Sequence, residues 1–177
     1  MSQMRVVYKT IGNVQLSLDI FLTQGMDPSA RRPAIVFFHG GGWNSGSPSQ
    51  FHPHGRYFAS RGMVAISAEY RLAERHGTRP YECVADGKSA IRWIRSHAAE
   101  LGIDPTHLIA GGGSAGGHMA AATATVTGFE NDDDDQSISP RPSALVLFNP
   151  VFDNGPNGYG HDRVKDRWRE FSPLHNI

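Results

Sequence analysis

The sequence has almost no cysteine, no excess of charge of either sign and no long apolar run. A single cysteine, Cys83, among 177 residues excludes an internal disulfide and any metal site built from several thiolates. Lys and Arg together number 17, as do Asp and Glu, so the charge balance gives no reason to expect binding to nucleic acid or a membrane surface. No apolar stretch approaches the ~20 residues of a transmembrane helix. These absences leave a globular chain that is long enough to bury a core.

The N-terminus and the length set further expectations. Residues 1–5 run directly into strand-like sequence and do not resemble a signal peptide. We therefore expect a cytoplasmic protein, or a secreted one whose signal peptide has been removed. The length fits one domain, so we predict that residues 1–177 form a single unit.

Apolar segments that are typical of strands alternate with helical segments along the chain. The patterns predict a hairpin at 5–11 and 14–22, strands at 34–38, 63–67, 107–110 and 144–148, and helices at 51–61, 82–97, 115–127 and near 162–171. This order predicts an α/β fold with a mostly parallel sheet and helices on both faces.

Helix 82–97 and the polar segment 130–143 are both expected to expose their charges. The helical period places Ile91 and Ile94 on a buried face and turns Lys88, Arg92 and Arg95 outward. Segment 130–143 is predicted to be a surface insertion. Its four consecutive aspartates could bind a cation, but adjacent carboxylates are more typical of a solvated loop.

Residues 112–116 fit the pattern G-x-S-x-G between a strand and a helix. A nucleophilic serine on such a turn, here Ser114, needs strained backbone and small neighbours, because the turn passes close to adjacent strands. Glycine-rich turns also bind phosphates. A phosphate loop would end in Lys-Ser or Lys-Thr, where this chain has Gly117-His118, and a dinucleotide loop would normally come earlier in the chain.

A second glycine-rich segment, His39-Gly40-Gly41-Gly42, follows the strand at 34–38. Acyl transfer through a tetrahedral intermediate needs N–H donors directed at the developing oxyanion. Successive glycines can present such donors without side chains in the way, and the residue after the nucleophile, Ala115, supplies a further N–H. A plain tight turn is the alternative, but the serine turn further along the chain favours the oxyanion hole.

Together these motifs resemble α/β-hydrolases of the hormone-sensitive-lipase-like esterase group, especially bacterial acetyl-esterases and xylan- or feruloyl-esterase-like members. The matching segments are 39–43 (HGGGW), 69–73 (EYRLA), 85–95 (ADGKSAIRWIR), 102–105 (GIDP) and 112–118 (GGSAGGH).

The resemblance implies a serine esterase that needs no metal and no cofactor. It assigns Ser114 as the nucleophile and the N–H groups of Gly41, Gly42 and Ala115 as the oxyanion hole. The implied substrates are small esters, such as acylated sugars or aryl esters. Related peptidases usually carry an aromatic residue after the serine, so Ala115 favours ester substrates.

The resemblance also implies that the rest of the catalytic triad is missing. In this fold the acid and then the histidine follow the nucleophile, and the family places both beyond Ile177. We therefore expect a C-terminally truncated α/β-hydrolase fold that lacks the last two strands. Asp153 could be a substitute acid, although an ordinary loop role is the simpler interpretation. His161 and His175 are weaker candidates for the base, and His118 is expected to be structural.

Other residues near the motifs have two interpretations each. His39 could support its loop or contact substrate, and Trp43 could shape the acyl pocket or only pack beneath the loop. His52 and His54 could line the substrate entrance or be solvated. Cys83 is expected to be a small buried apolar residue.

Two hypotheses from different classes remain. One is a serine carboxylic-ester hydrolase, and the other is a catalytically incomplete homologue that binds a ligand or partner without turnover. A sheet that ends at strand 144–148 would expose an edge, and exposed edges recruit other strands. We therefore also expect a homo-oligomer or a partner chain that completes the sheet.

Overall fold

A computed structural model describes residues 2–23, 25 and 27–177. Met1, the first residue of the N-terminal stretch discussed above, lies outside them. The strands are β1 (Ser2–Ile11), β2 (Val14–Leu22), β3 (Arg32–Phe38), β4 (Val64–Ala68), β5 (Ile103–Gly113) and β6 (Ala144–Phe148). The α-helices are α1 (His52–Ser60), α2 (Ala73–His76), α3 (Pro80–Ser96), α4 (Ala115–Thr125), α5 (His161–Val164) and α6 (Trp168–Phe171). Short 3-10 helices span Pro28–Ala30, Pro48–Phe51, Lys165–Arg167 and Pro173–His175.

The six strands form one sheet in the order β1-β2-β4-β3-β5-β6. The hairpin β1–β2 is antiparallel, as is the pairing of β2 with β4, whereas β4, β3, β5 and β6 run parallel. The predicted, mostly parallel sheet is therefore confirmed. Because β3 and β5 are parallel neighbours, the turns that follow them meet at the same edge of the sheet.

Helices cover both faces of the sheet, and the alternation of side chains in β3 shows how. Ala34, Val36 and Phe38 belong to the larger core, which lies under α3 and α4. Ile35 and Phe37 belong to a second core under α1. A parallel strand buried on both faces is expected to be apolar throughout, as 34–38 is.

The prediction that α3 exposes its charges is wrong for Lys88 and Arg92. Their exposed fractions are 1% and 6%, because the chain after α4 folds back over the helix. Lys88 Nζ donates to Val126 O at 2.9 Å and to Glu130 Oε1 at 2.8 Å. Arg92 binds the other oxygen of Glu130 at 2.6 Å. The charges are buried because each finds an acceptor there.

The aspartate run is only partly the solvated loop that was predicted. The side chain of Asp134 is only 7% exposed, and its carboxylate accepts from Lys9 at 2.7 Å and from Ser89 at 2.7 Å. Its three neighbours in the run are exposed. No group of three or more His, Cys, Asp or Glu side chains suited to a metal ion occurs within 2–23, 25 and 27–177.

The chain after β6 is mostly irregular. The helix predicted near 162–171 is broken into α5, a 3-10 turn and α6, with Lys165 at a φ of 37° between them. The sequence patterns did not predict the single-turn helix α2. In the part of the chain that the structure describes, no helix combines the length and apolarity needed to cross a bilayer.

Candidate active site

Ser114 lies on a strained turn between β5 and α4. Its φ of 54° and ψ of −121° are unfavourable for a residue with a side chain. Backbone hydrogen bonds hold it there: Ser114 N donates to Phe148 O at 3.1 Å, and Ser114 O accepts from Val151 N at 3.1 Å and His118 N at 3.0 Å. The turn is thus fixed by its own helix and by the chain that leaves β6.

The glycines two residues before and after Ser114 are required by close packing, as the sequence predicts. A Cβ on Gly116 would lie 2.0 Å from Phe38 O and 2.5 Å from His39 O. A Cβ on Gly112 would lie 2.6 Å from Phe38 O. The absence of side chains at these two positions lets the first turn of α4 rest against the end of β3.

The glycine loop, residues 39–46, passes directly beside the serine. A Cβ on Gly40 would lie 3.5 Å from Ser114 Cβ. Gly41 has a φ of 121° and Gly42 a φ of 62°, both in the region that glycine tolerates best. Gly41 O accepts from Asn44 N at 3.0 Å and from Ser45 N at 3.1 Å, which closes the loop into a tight turn.

Two N–H groups of this loop are available for a ligand. Within the described ranges of the chain, neither Gly41 N nor Gly42 N donates to a protein acceptor. Ala115 N belongs to the first turn of α4, where N–H groups have no acceptor within the helix. These are the three groups that the resemblance assigns to the oxyanion hole.

His39, the first residue of the glycine loop, stabilises the loop through contacts with Tyr70 and Gly40. Its ring stacks on Tyr70 with 4.3 Å between centroids, and the Tyr70 hydroxyl donates to His39 O at 2.7 Å. His39 Nδ1 donates to Gly40 O at 2.7 Å. Burial lowers the pKa of His39 to about 4, so the ring is neutral near pH 7. Of the two interpretations, these contacts favour loop support.

Trp43 and His118 pack together behind the loop. Trp43 is 1% exposed, and its ring lies 5.1 Å from that of His118, edge to face. His118 stacks on Phe171 and donates from Nε2 to Phe171 O at 3.2 Å. Burial lowers the pKa of His118 to about 3. The contacts of Trp43 are packing contacts, and its role in an acyl pocket stays a prediction.

The segment after β6 contributes contacts to the loop that sequence reasoning missed. Arg163 Nη1 donates to Gly42 O, and a Cβ on Gly42 would lie 2.8 Å from the Tyr159 hydroxyl. Arg163 is 121 residues away from Gly42 in the chain. Nothing in the local sequence around either residue indicates this contact.

The structure does not join the candidate acid and bases to the serine. Asp153 Oδ1 accepts from Gly155 N at 2.7 Å and lies 4.0 Å from His175 Nδ1. His161 Nδ1 lies 3.0 Å from Asn154 O. Among the residues described, none of these side chains forms a hydrogen bond with Ser114.

The remaining candidates lie in other contacts. His52 Nε2 is 2.9 Å from Asp19 Oδ2, and His54 packs against the rings of Phe51 and Phe148. Cys83 is buried, which confirms its predicted packing role, and burial raises the pKa of its thiol.

Comparisons with known proteins agree with this geometry. The chain is 36% identical over 126 residues to carboxylesterase NlhH of Mycobacterium tuberculosis, covering 69% of this chain and 38% of that protein. It resembles the structure of Thermogutta terrifontis esterase 2 phosphoramylated by tabun, with 49% identity and a TM-score of 0.94. That match covers 99% of this chain and 66% of the esterase. The propionate-bound form of the same esterase matches with 48% identity and a TM-score of 0.93, over 99% of this chain and 67% of that one.

The chain therefore spans 38% of the length of the first of these relatives and 66% of the second. These similarities confirm the α/β-hydrolase fold and the resemblance to esterases. The family model described as BD-FAE matches residues 18–154, well over half of the chain. The strained serine turn, the glycine loop beside it and this match together show that the chain belongs to the BD-FAE family.

Proposed function

We propose that the protein hydrolyses carboxylic esters through an acyl-enzyme on Ser114. The observation that carries this proposal is the strained Ser114 turn beside a glycine loop, in which two N–H donors have no acceptor among the described residues. A serine hydroxyl held in this way is exposed to an incoming carbonyl. The N–H groups of Gly41, Gly42 and Ala115 would bind the oxyanion, and one such donor is typically worth about 10²–10³ in kcat.

The reaction would proceed in two steps. Ser114 Oγ bonds to the acyl carbon and loses its proton to a base, and the bond to the alcohol breaks as that proton passes to the leaving oxygen. Water then attacks the acyl carbon and gives a proton to the base. The bond between the acyl carbon and Ser114 Oγ breaks as the base returns that proton to Oγ, and the acid is released. We assign the base to no histidine within the described part of the chain, since none is bonded to Ser114. No metal or cofactor enters either step.

The relatives support this choice of chemistry and substrate. The relative from Mycobacterium tuberculosis is named a carboxylesterase. The esterase from Thermogutta terrifontis is described as phosphoramylated by tabun in one structure and as bound to propionate or butyrate in others. We therefore propose small acyl groups, on a sugar or aryl alcohol, as the substrates. Trp43 and His39 would act on the site indirectly, through the loop that they support.

The second candidate function is binding without turnover. The observation in its favour is that Asp153, His161 and His175 are not assembled around Ser114. A protein of this kind would hold a ligand at the glycine loop but would not form an acyl-enzyme.

Covalent labelling separates the two functions. The chain is incubated with a fluorophosphonate, and the adduct is mapped by mass spectrometry, alongside a p-nitrophenyl acetate burst assay. A hydrolase gives one adduct on Ser114, which is lost in Ser114→Ala and kept in Ser60→Ala, a substitution of an exposed serine at the end of α1. Equal labelling of all three proteins, or none, would leave the binding function as the better account.

We also propose that another strand pairs with β6. This outer strand carries partly exposed apolar residues and ends at Phe148, which is 38% exposed. An apolar edge without charge or a bulge favours pairing. Sedimentation should show a dimer or larger species, and a clean monomer at micromolar concentration would contradict the proposal.

A further inference from the structure

Gln50 supplies the acceptor for the first glycine N–H group of the glycine loop. Its Oε1 accepts from Gly40 N at 2.6 Å. Gly40 is buried, and a buried N–H group needs an acceptor. The next two N–H groups, those of Gly41 and Gly42, donate to no protein acceptor within the described ranges. The bond from Gln50 therefore separates one structural N–H group from the two that we propose for the oxyanion hole.

The bond to Gly40 N also fixes which way the carboxamide of Gln50 is turned. An N–H group can donate to the oxygen of a carboxamide but not to its NH₂ group, so Oε1 faces Gly40 and Nε2 is on the other side. Gln50 is exposed, and Nε2 forms no hydrogen bond with any residue that the structure describes. The NH₂ group is therefore open to a ligand and is already held in one place, which lowers the entropy cost of binding.

The same carboxamide lies beside Ser114. A Cβ placed on Gly40 would lie 3.6 Å from Gln50 Oε1 and 3.5 Å from Ser114 Cβ, so the two side chains flank one point in space. Gly40 itself places no side chain at that point, and Ser114 is partly exposed. A molecule bound at Ser114 therefore has the carboxamide of Gln50 as a neighbour.

Gln50 is carried by a firmly packed part of the chain. It belongs to the 3-10 helix Pro48–Phe51, which leads into α1. Phe51 is buried and stacks on Phe37 with 4.9 Å between the ring centroids. A Cβ on Gly113 would lie 3.6 Å from Phe51 Cζ, so this helix packs against the serine turn itself. A donor on such a support can select between substrates, because its position is fixed before the substrate arrives.

We propose that Gln50 is a specificity-determining residue, whose NH₂ group donates to an oxygen of the substrate outside the reacting ester group. This inference rests on the hydrolysis proposed above, and it narrows the substrates to esters that carry an ether or hydroxyl oxygen close to the reacting group. That oxygen belongs either to the alcohol part or to the acyl part of the ester. Because a carboxamide NH₂ group only donates, an oxygen that only accepts, such as that of an ether, is sufficient.

Two pairs of esters test this donor. In each pair an ether oxygen replaces one CH₂ group: 2-methoxyethyl acetate is compared with butyl acetate for the alcohol part, and ethyl methoxyacetate with ethyl butyrate for the acyl part. The ratio of kcat/KM within each pair is measured for the parent and for each variant. A weakened glycine loop lowers both members of a pair alike, and intrinsic reactivity is the same in every protein, so neither changes the comparison.

Two substitutions of Gln50 separate the donor from the support of the loop. Gln50→Glu keeps an oxygen for Gly40 N and removes the donor, whereas Gln50→Met removes both. We expect both substitutions to lower the ratio for at least one pair by about threefold or more, since one hydrogen bond to substrate is lost. The pair that responds shows which part of the ester carries the oxygen. Gln15→Glu, at an exposed position in β2, is the control and should leave both ratios as in the parent.

Unchanged ratios for both pairs, or a fall with only one of the two substitutions of Gln50, would overturn this role, as would an equal fall in the Gln15 variant. The parent is also treated with a fluorophosphonate. If Ser114 is labelled and the esters are hydrolysed but the ratios do not change, only the role of Gln50 fails. If the parent is not labelled, or hydrolyses none of the four esters, the proposed hydrolysis fails and the role of Gln50 fails with it.

Discussion

The two glycine-rich turns of the site are held in place in different ways. Around Ser114, backbone packs on backbone: Gly112 and Gly116 touch the carbonyl groups that end β3, where no Cβ fits. The glycine loop relies instead on side chains that reach it from Gln50, Tyr70 and Arg163. The serine turn therefore depends on the lack of side chains at its own glycines, whereas the glycine loop depends on side chains from distant parts of the chain. Four predictions test this contrast.

The largest effect is expected from Gly116→Ala. The added Cβ would lie 2.0 Å from Phe38 O, and neither backbone can move without disrupting the sheet. Overpacking against side chains costs about 1–3 kcal/mol, so a clash with backbone should cost at least ~3 kcal/mol of unfolding free energy or prevent folding. Urea unfolding followed by circular dichroism measures the change.

Gly113→Ala is the matched control, one residue before the serine. Its Cβ would find only ordinary contacts, the nearest at 3.6 Å from Phe148 O. We expect a change within ~1 kcal/mol. A similar cost at both positions would mean that close packing is not what requires glycine at the turn.

The next effect is a loss of stability in acid, to which each turn contributes one histidine. Burial lowers the pKa of His39 to about 4 and that of His118 to about 3, against ~6.5 in an unfolded chain. Both groups therefore stabilise the fold fully above pH 6.5, and the contribution is lost as the pH falls to about 4 for His39 and to about 3 for His118. The upper limit is roughly 3 kcal/mol for His39.

Unfolding free energies measured between pH 7 and 4 test this prediction. His118→Gln lowers stability at every pH but should flatten the decline, whereas His54→Gln, at an exposed position with no ion pair among the described residues, should keep its slope. An equally steep decline in the His118 variant would show that other groups cause the acid sensitivity.

Tyr70→Phe should have an intermediate effect confined to the loop side. It removes the buried hydroxyl that donates to His39 O at 2.7 Å and leaves that carbonyl unpaired. The expected cost is about 1–3 kcal/mol. Thermal unfolding compares it with Tyr57→Phe, a substitution in an exposed ring on α1, which should change stability little. If the two variants were equally stable, the Tyr70 hydroxyl would not be one of the groups that stabilise the loop.

The smallest effect is expected from Arg163→Gln. The arginine is exposed, so losing its hydrogen bond to Gly42 O should cost only about 0.5–1.5 kcal/mol. Amide hydrogen exchange should quicken in the glycine loop and stay unchanged around Ser114. Arg61→Gln, on the opposite face of the sheet, should change neither. Faster exchange at both turns would contradict the conclusion that the two turns are held in place by different contacts.

The local sequence pattern was enough to predict the strands, the three longer helices and both glycine-rich turns. Alternating or continuous apolar residues and glycines at defined spacings reflect contacts that each segment makes in any such sheet. The same approach failed for Lys88 and Arg92, because a helical period shows polarity but not which distant segment will cover a charge. It also failed for α2, a single turn with too few residues to show a period.

The sequence by itself determined the α/β fold, the serine turn and the position of the glycine loop, because steric exclusion of a Cβ and burial of apolar strands act over a few neighbouring residues. Only the tertiary structure decided that 126–141 buries the cations of α3 and that Arg163 reaches Gly42. It alone also left Trp43 Nε1 facing no acceptor within the described residues. Those outcomes depend on pairing groups from distant parts of the chain, which the packing of the whole sheet brings together.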